Sequence, residues 1–143
     1  MNKKLCVIFD IDGTIFNVKN RLHFITCDKK DFNSFYESTY LDTLNINIVK
    51  KLKLYKLLGM DIHLYTGVPN KYRRRTIDRL KKYNLPFNRL YMRKNNDFRK
   101  DYIVKSEWLD LNNFKYLVAY DDKKHNIDMF KLFKINGVVV NES

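Results

Sequence analysis

Residues 4–14 read KLCVIFDIDGT: an apolar run, Lys4–Phe9, passes without a break into Asp10-Ile11-Asp12-Gly13-Thr14. A short apolar run that halts at charge is what a strand buried on both faces looks like. Asp10 and Asp12, two residues apart, leave that strand pointing the same way, and Gly13 lets the chain turn sharply. The pattern recurs along the chain. Residues 61–65 (DIHLY) run into Thr66-Gly67, residues 87–92 run into Arg93, residues 116–120 (YLVAY) run into Asp121-Asp122, and residues 137–140 form a last apolar run. Helical spacing fills the gaps. Ile48, Val49, Leu52 and Tyr55 share a face over 46–58, with Gly59 as a stop. Ile77, Leu80 and Tyr83 share one over 70–84, with Pro69 suited to the first turn. Val104, Trp108 and Leu111 do so over 101–111, and Ile127, Phe130 and Phe133 over 124–134. Alternating strand and helix predicts an α/β fold in three layers, Rossmann-like, with a five-stranded parallel sheet. Residues 15–44 show no period and are rich in aromatic and polar side chains. They predict a short lid or cap insert after the first strand, within one domain spanning 1–143.

In an open parallel sheet, ligands bind beyond the carboxyl ends of the strands. The candidate site is therefore the set of strand ends: Asp10, Thr66, Arg93 and Asp121. Two acidic pairs brought to one edge repel each other unless a cation neutralises them. An all-oxygen carboxylate set suits Mg²⁺.

Composition excludes several classes. The chain has 143 residues, 45% hydrophobic and 15% aromatic, with four glycines and two prolines, which excludes disordered and collagen-like chains. No apolar run approaches the ~20 residues that span a bilayer. The first apolar run stops at Asp10, too soon for a signal peptide. Cys6 and Cys27 carry no CxxC spacing, so reduced thiols and a cytoplasmic location are expected, that of the host cell if the source is viral. The net charge is +12, and lysine outnumbers arginine, a bias that AT-rich coding sequence also produces. Its distribution is more telling. Residues 70–105 hold 13 basic and 3 acidic side chains, including seven of the eight arginines. A concentrated field of this kind suits an anionic partner, nucleic acid in particular.

The ordered set DIDGT, Thr66-Gly67, Lys105 and Asp121-Asp122 resembles the haloacid-dehalogenase (HAD) superfamily of phosphotransferases. Arg21, eleven residues past Asp10, and the string Leu90-Tyr91-Met92-Arg93…Asp97-Phe98-Arg99-Lys100-Asp101…Val104-Lys105 are similar to the 3′-phosphatase domain of phage polynucleotide kinase-phosphatases. The resemblance implies a HAD fold with a minimal cap and a Mg²⁺-dependent phosphoric monoester hydrolase. In it Asp10 is the nucleophile that forms an aspartyl-phosphate. Asp12 is the acid and base, with a raised pKa for the first task. Asp10, Asp12 through its backbone carbonyl, Asp121 and Asp122 hold Mg²⁺. Thr66 and Gly67 bind phosphate, Lys105 neutralises phosphate and Asp10, and Asp101 orients Lys105. Arg21 reaches the substrate, and Asn126 supports the acidic pair.

Two departures stand out. The subgroup carries an arginine directly after the glycine of the second motif, where this chain has Val68. Arg73, Arg74 or Arg75 are candidates to compensate. No GxxxxGK[ST] is present, so kinase P-loop chemistry is not expected. The implied substrates are nucleic-acid 3′-phosphate ends or nucleotide phosphates. The alternatives are a 5′(3′)-nucleotidase for free nucleotides and a nucleic-acid-binding module on an inactive HAD scaffold. His63 reads as structural, and Trp108 as core.

Overall fold

The structure is a computed structural model that describes residues 2–141. In chain order its elements are β1 (Lys4–Phe9), β2 (Phe16–Asn17), α1 (His23–Thr26), α2 (Phe32–Glu37), β3 (Thr43–Leu44), α3 (Ile46–Leu57), β4 (Asp61–Pro69), α4 (Arg73–Lys82), β5 (Arg89–Arg93), α5 (Asp101–Ser106), β6 (Phe114–Asp121), α6 (Lys124–Leu132) and β7 (Asn136–Val139). The five long strands form one parallel sheet in the order β5-β4-β1-β6-β7. This is the α/β architecture with a five-stranded parallel sheet that the sequence predicts. Connections leave β1 in one direction as far as β5, then cross to β6 and β7. The crevice between β1 and β6 is therefore the topological switch point.

Strand alternation divides the core. Val7, Phe9, Ile62, Leu64, Leu90 and Met92 face one layer with α3 and α4. Cys6, Ile8, Tyr65, Ile127 and Phe130 face the other, against which Trp108 packs. One irregularity matters for the site. Cys6 pairs with Tyr116, but Val7 pairs with Val118, so Leu117 is an extra residue in β6. Phe114 and Tyr116 face the α6 layer, and after the bulge Ala119 does so. The reset parity carries Asp121 to the same layer. Without it, Asp121 would point to the α3 side.

Three helices or strands differ in extent from the sequence expectation. The segment 70–84 begins as a 3₁₀ turn, Asn70–Tyr72, and Pro69 ends β4 instead of opening a helix. The proline ring fixes φ at −61° with an extended ψ of 146°, which suits a strand end. The helix expected over 101–111 stops at Ser106. Trp108 lies in the turn beyond it and still packs on Tyr65 and Tyr91. The third strand is Arg89–Arg93, so Phe87 precedes it.

The insert over 15–44 is not irregular throughout. A two-residue antiparallel ladder, Phe16 to Leu44 and Asn17 to Thr43, closes its root. Inside it, Asp42 has a fully buried side chain and accepts from Arg21 Nε at 2.7 Å and from Arg21 Nη2 at 2.8 Å. It also accepts from Arg79 Nη1, in α4, at 2.6 Å. The Arg21 guanidinium lies 4.2 Å from the Phe35 ring centroid and donates to the Phe35 carbonyl at 3.1 Å. Tyr72 Oη donates to Asn33 Oδ1 at 2.9 Å, and Arg75 donates to the Glu37 carbonyl at 2.9 Å. The lid is thus bound to α4 by ion pairs around Asp42. Of its aromatics, Phe16 and Phe35 are buried, whereas Phe32 and Tyr40 are exposed.

Removing one partner of a buried ion pair leaves uncompensated charge, which costs about 3–5 kcal/mol. Asp42→Ala strands two guanidiniums at once. The variant is expected to lose stability on that scale in urea unfolding, whereas Asp78→Ala, on the exposed face of α4, should change it by less than about 0.5 kcal/mol.

Candidate active site

The strand ends converge as the open-sheet rule requires. Asp10 caps β1, Asp121 ends β6, and Lys105 enters from α5 on the same layer. Lys105 Nζ donates to Asp10 Oδ1 at 3.0 Å and to Asp121 Oδ2 at 2.7 Å, and lies 3.3 Å from Asp101 Oδ2. The side chain is fully buried, and three carboxylates hold its ammonium charged against the cost of burial. Thr14 Oγ1 donates to Asp10 Oδ2 at 3.1 Å. Asn126, one turn into α6, donates to Asp101 Oδ2 at 2.9 Å and to Asp121 Oδ2 at 3.1 Å. Asp101 and Lys105 are one turn apart on α5, so one helix carries both the cation and a carboxylate beside it.

Glycine permits two close approaches. Gly13 has φ +88°, and any Cβ there would run into the Asp122 carboxylate. A Cβ on Gly67 would meet the Asp101 carboxylate. The Gly67 carbonyl accepts from Arg93 Nε at 2.8 Å, and Arg93 Nη2 donates to Asp101 Oδ1 at 3.0 Å. Thr66 is buried at the end of β4, where its Oγ1 accepts from the Val68 amide at 3.2 Å.

Asp12 has a different environment. Arg21 Nη2 stands 2.9 Å and Arg79 Nη2 2.8 Å from Asp12 Oδ1. Burial pushes the Asp12 carboxyl up, but the two guanidiniums outweigh it and hold the pKa below the usual carboxylate range. The raised pKa expected for Asp12 is therefore not what these neighbours produce in the free protein.

Two more expectations change. Arg21, expected to reach the substrate, is fully buried, and Asp12, Asp42 and the Phe35 carbonyl take up its donors. It acts on Asp12 instead of standing open in the cleft. Arg73 and Arg74 do not reach the carboxylates. Arg73 donates to the Leu90 carbonyl at 3.0 Å, and Arg74, 90% exposed, faces Asp78. The basic helix does send a cation into the site, but it is Arg79, packed 4.1 Å from the Phe16 ring centroid. Arg79, Asp42 and Thr14 are the site residues that sequence reasoning did not single out, whereas Arg93 was expected as a strand end. Only Thr14 carried a local signal, as the last residue of DIDGT.

Asp10, Asp121 and Asp122 each place an oxygen within 4.8 Å of the others. Burial and then Asp121 push the Asp10 carboxyl well up, although Lys105 opposes this. Burial and then Asp121 push Asp122 up to about 6. Crowded, desolvated carboxylates with unspent electron density fit a small hard divalent cation. A group whose folded pKa is raised stabilises the fold below its unfolded pKa, and that stability is lost as pH rises through the folded value. For Asp122 the window runs from about 4 to about 6. Metal-free protein is therefore expected to lose stability across that window on this account, and added Mg²⁺ to raise the melting temperature more at pH 7 than at pH 5. Melting curves in EDTA and in Mg²⁺ at both pH values check this.

Residues 4–143 match the family described as the polynucleotide kinase PNKP phosphatase domain. Among solved structures, a chain of the Pnkp1/Rnl/Hen1 complex aligns over 99% of this chain with a TM-score of 0.81 and 27% identity. This chain spans 47% of that relative's length. A phosphatase described as putative from Clostridium difficile (TM-score 0.67, 17% identity, 97% of this chain and 86% of that one) shares the fold. A haloacid dehalogenase-like hydrolase from Streptococcus pneumoniae also shares it (TM-score 0.72, 14% identity, 96% and 85%). A five-stranded parallel sheet with paired acidic motifs at its switch point and a buried lysine between them, matched end to end by that family, makes this chain a member of the PNKP phosphatase-domain family of HAD phosphatases.

Proposed function

We propose that this chain hydrolyses phosphate monoesters at nucleic-acid 3′ ends by two displacements at Asp10. The observation that carries the reading is Lys105, bridging Asp10 and Asp121 from 95 and 16 residues away in sequence. Family membership supports the phosphatase class. The basic segment over 70–105 and the likeness to the Pnkp1/Rnl/Hen1 chain support the strand end.

In the first displacement an Asp10 carboxylate oxygen attacks phosphorus and the ester P–O bond breaks. The departing oxygen takes the proton of the Asp12 carboxyl. In the second, water attacks the same phosphorus, gives a proton to Asp12, and the Asp10 carboxylate departs. Asp12 so regains the acid form for the next turnover. Arg21 and Arg79 favour its ionised form, which is the one the second displacement needs. Lys105 opposes charge building up on Asp10 and on the phosphoryl oxygens without reorganising, because three carboxylates already fix it. Thr66 and the chain at Gly67 line the phosphate side. Mg²⁺ held by Asp10, the Asp12 carbonyl and Asp121 or Asp122 would screen the anionic nucleophile from the anionic phosphate.

Asp10→Asn should abolish phosphate release from p-nitrophenyl phosphate while the melting curve stays cooperative. Full activity in that variant would sink the mechanism. The substrate is read from a panel: 3′-phosphorylated DNA and RNA oligonucleotides, mononucleotides and p-nitrophenyl phosphate. Turnover of a strand end should weaken steeply between about 50 and 200 mM salt, and that of a mononucleotide much less. Preference for free nucleotides at all salts would make the enzyme a nucleotidase.

A further inference from the structure

Residues 94–100 form a loop between β5 and α5, which leads directly into the helix that carries Asp101 and Lys105. Phe98 is 90% exposed there. A lone surface apolar residue needs no explanation by itself. This one is held in place with unusual thoroughness. Arg93 Nη1 donates to the Asp97 carbonyl at 3.1 Å and to the Arg99 carbonyl at 2.7 Å, gripping the backbone on both sides of Phe98. Arg99 donates to Asp97 through Nε at 3.0 Å and through its amide at 3.1 Å, and its Nη2 reaches Glu107 at 2.7 Å. On the other flank, Asn95 Oδ1 accepts from the Lys71 amide at 2.8 Å, which ties the loop to the start of the basic helix. Asn96 takes φ +64°, a left-handed conformation that asparagine tolerates, so the turn is tight. The guanidinium that grips the backbone on both sides of Phe98 also holds Asp101, which in turn faces Lys105. The loop backbone is therefore fixed on an arginine that also touches the Asp101–Lys105 pair, and it presents Phe98 among exposed Lys94, Arg99 and Lys100.

We propose that Phe98 is a stacking platform for a nucleobase of the strand whose terminal phosphate enters the site, with Lys94 and Lys100 as its phosphate contacts. This rests on the strand-end reading and names the residue that reads the strand. An exposed ring beside cations is how single-strand binders engage bases without regard to sequence. Fixing the loop backbone in advance lowers the ordering cost at binding.

The test compares kcat/KM for a 3′-phosphorylated oligonucleotide with that for p-nitrophenyl phosphate. Phe98→Ala should lower the oligonucleotide-to-p-nitrophenyl-phosphate ratio about tenfold, within the range of a single base stack. Phe98→Trp should restore it. The loss should vanish on an oligonucleotide whose last residues are abasic, a readout that a purely structural role would not move. An unchanged ratio in Phe98→Ala, or the same loss on the abasic strand, overturns the proposal. If the native enzyme hydrolyses p-nitrophenyl phosphate but no strand end, the strand-end reading has failed instead.

Discussion

One buried ammonium governs the layout. Lys105 sits among Asp10, Asp101 and Asp121 with no exposure to water, and none of these groups is tolerable there without the others. An isolated buried lysine would shed its proton, and two desolvated aspartates would share one. Together they make a polar core at the carboxyl edge of the sheet in which carboxylates outnumber the ammonium, the excess that suits a divalent cation. The lysine and Asp101 come from one crossover helix, and Asp10 and Asp121 from the two strands at the switch point. The cluster so binds the two halves of the sheet to one another. Arg93 donates to Asp101, and Asn126 donates to both Asp101 and Asp121, which fixes the two carboxylates around the lysine.

A second polar cluster, Asp12-Arg21-Asp42-Arg79, abuts the first and couples the lid to the acid–base candidate. The same two arginines that hold Asp12 also hold Asp42. Docking of the insert and the electrostatics of Asp12 are therefore one problem.

Much of this was legible in the sequence because the sheet has period two and chemistry collects at strand ends. Asp10 and Asp121 follow from runs that stop at charge, and Lys105 follows from the resemblance in motif order. What the sequence concealed was tertiary. Arg79 looks like one more cation on a solvated helix face, and nothing local says that it turns inward onto Asp12 while Arg74 turns outward. Arg21 is right in position but not in reach, because its burial depends on Asp42, which lies 21 residues on. The lowered pKa of Asp12 has the same origin. Helix α5 ends early because Glu107 and Trp108 belong to a turn that the packing of Trp108 on Tyr65 and Tyr91 selects over continued helix.

The extra residue in β6 carries an implication for how such a chain can vary. Leu117 is the residue of β6 that the ladder with β1 skips, so it is one residue of slack in the strand. A single-codon deletion at this point would join Tyr116 to Val118 in regular alternation, with the same partners on β1, and would leave Asp121 in the layer of Lys105. A second deletion would have no slack to draw on and would direct Asp121 into the opposite layer. The length of β6 is therefore forgiving by the single residue of its bulge and by no more, even where its composition is free.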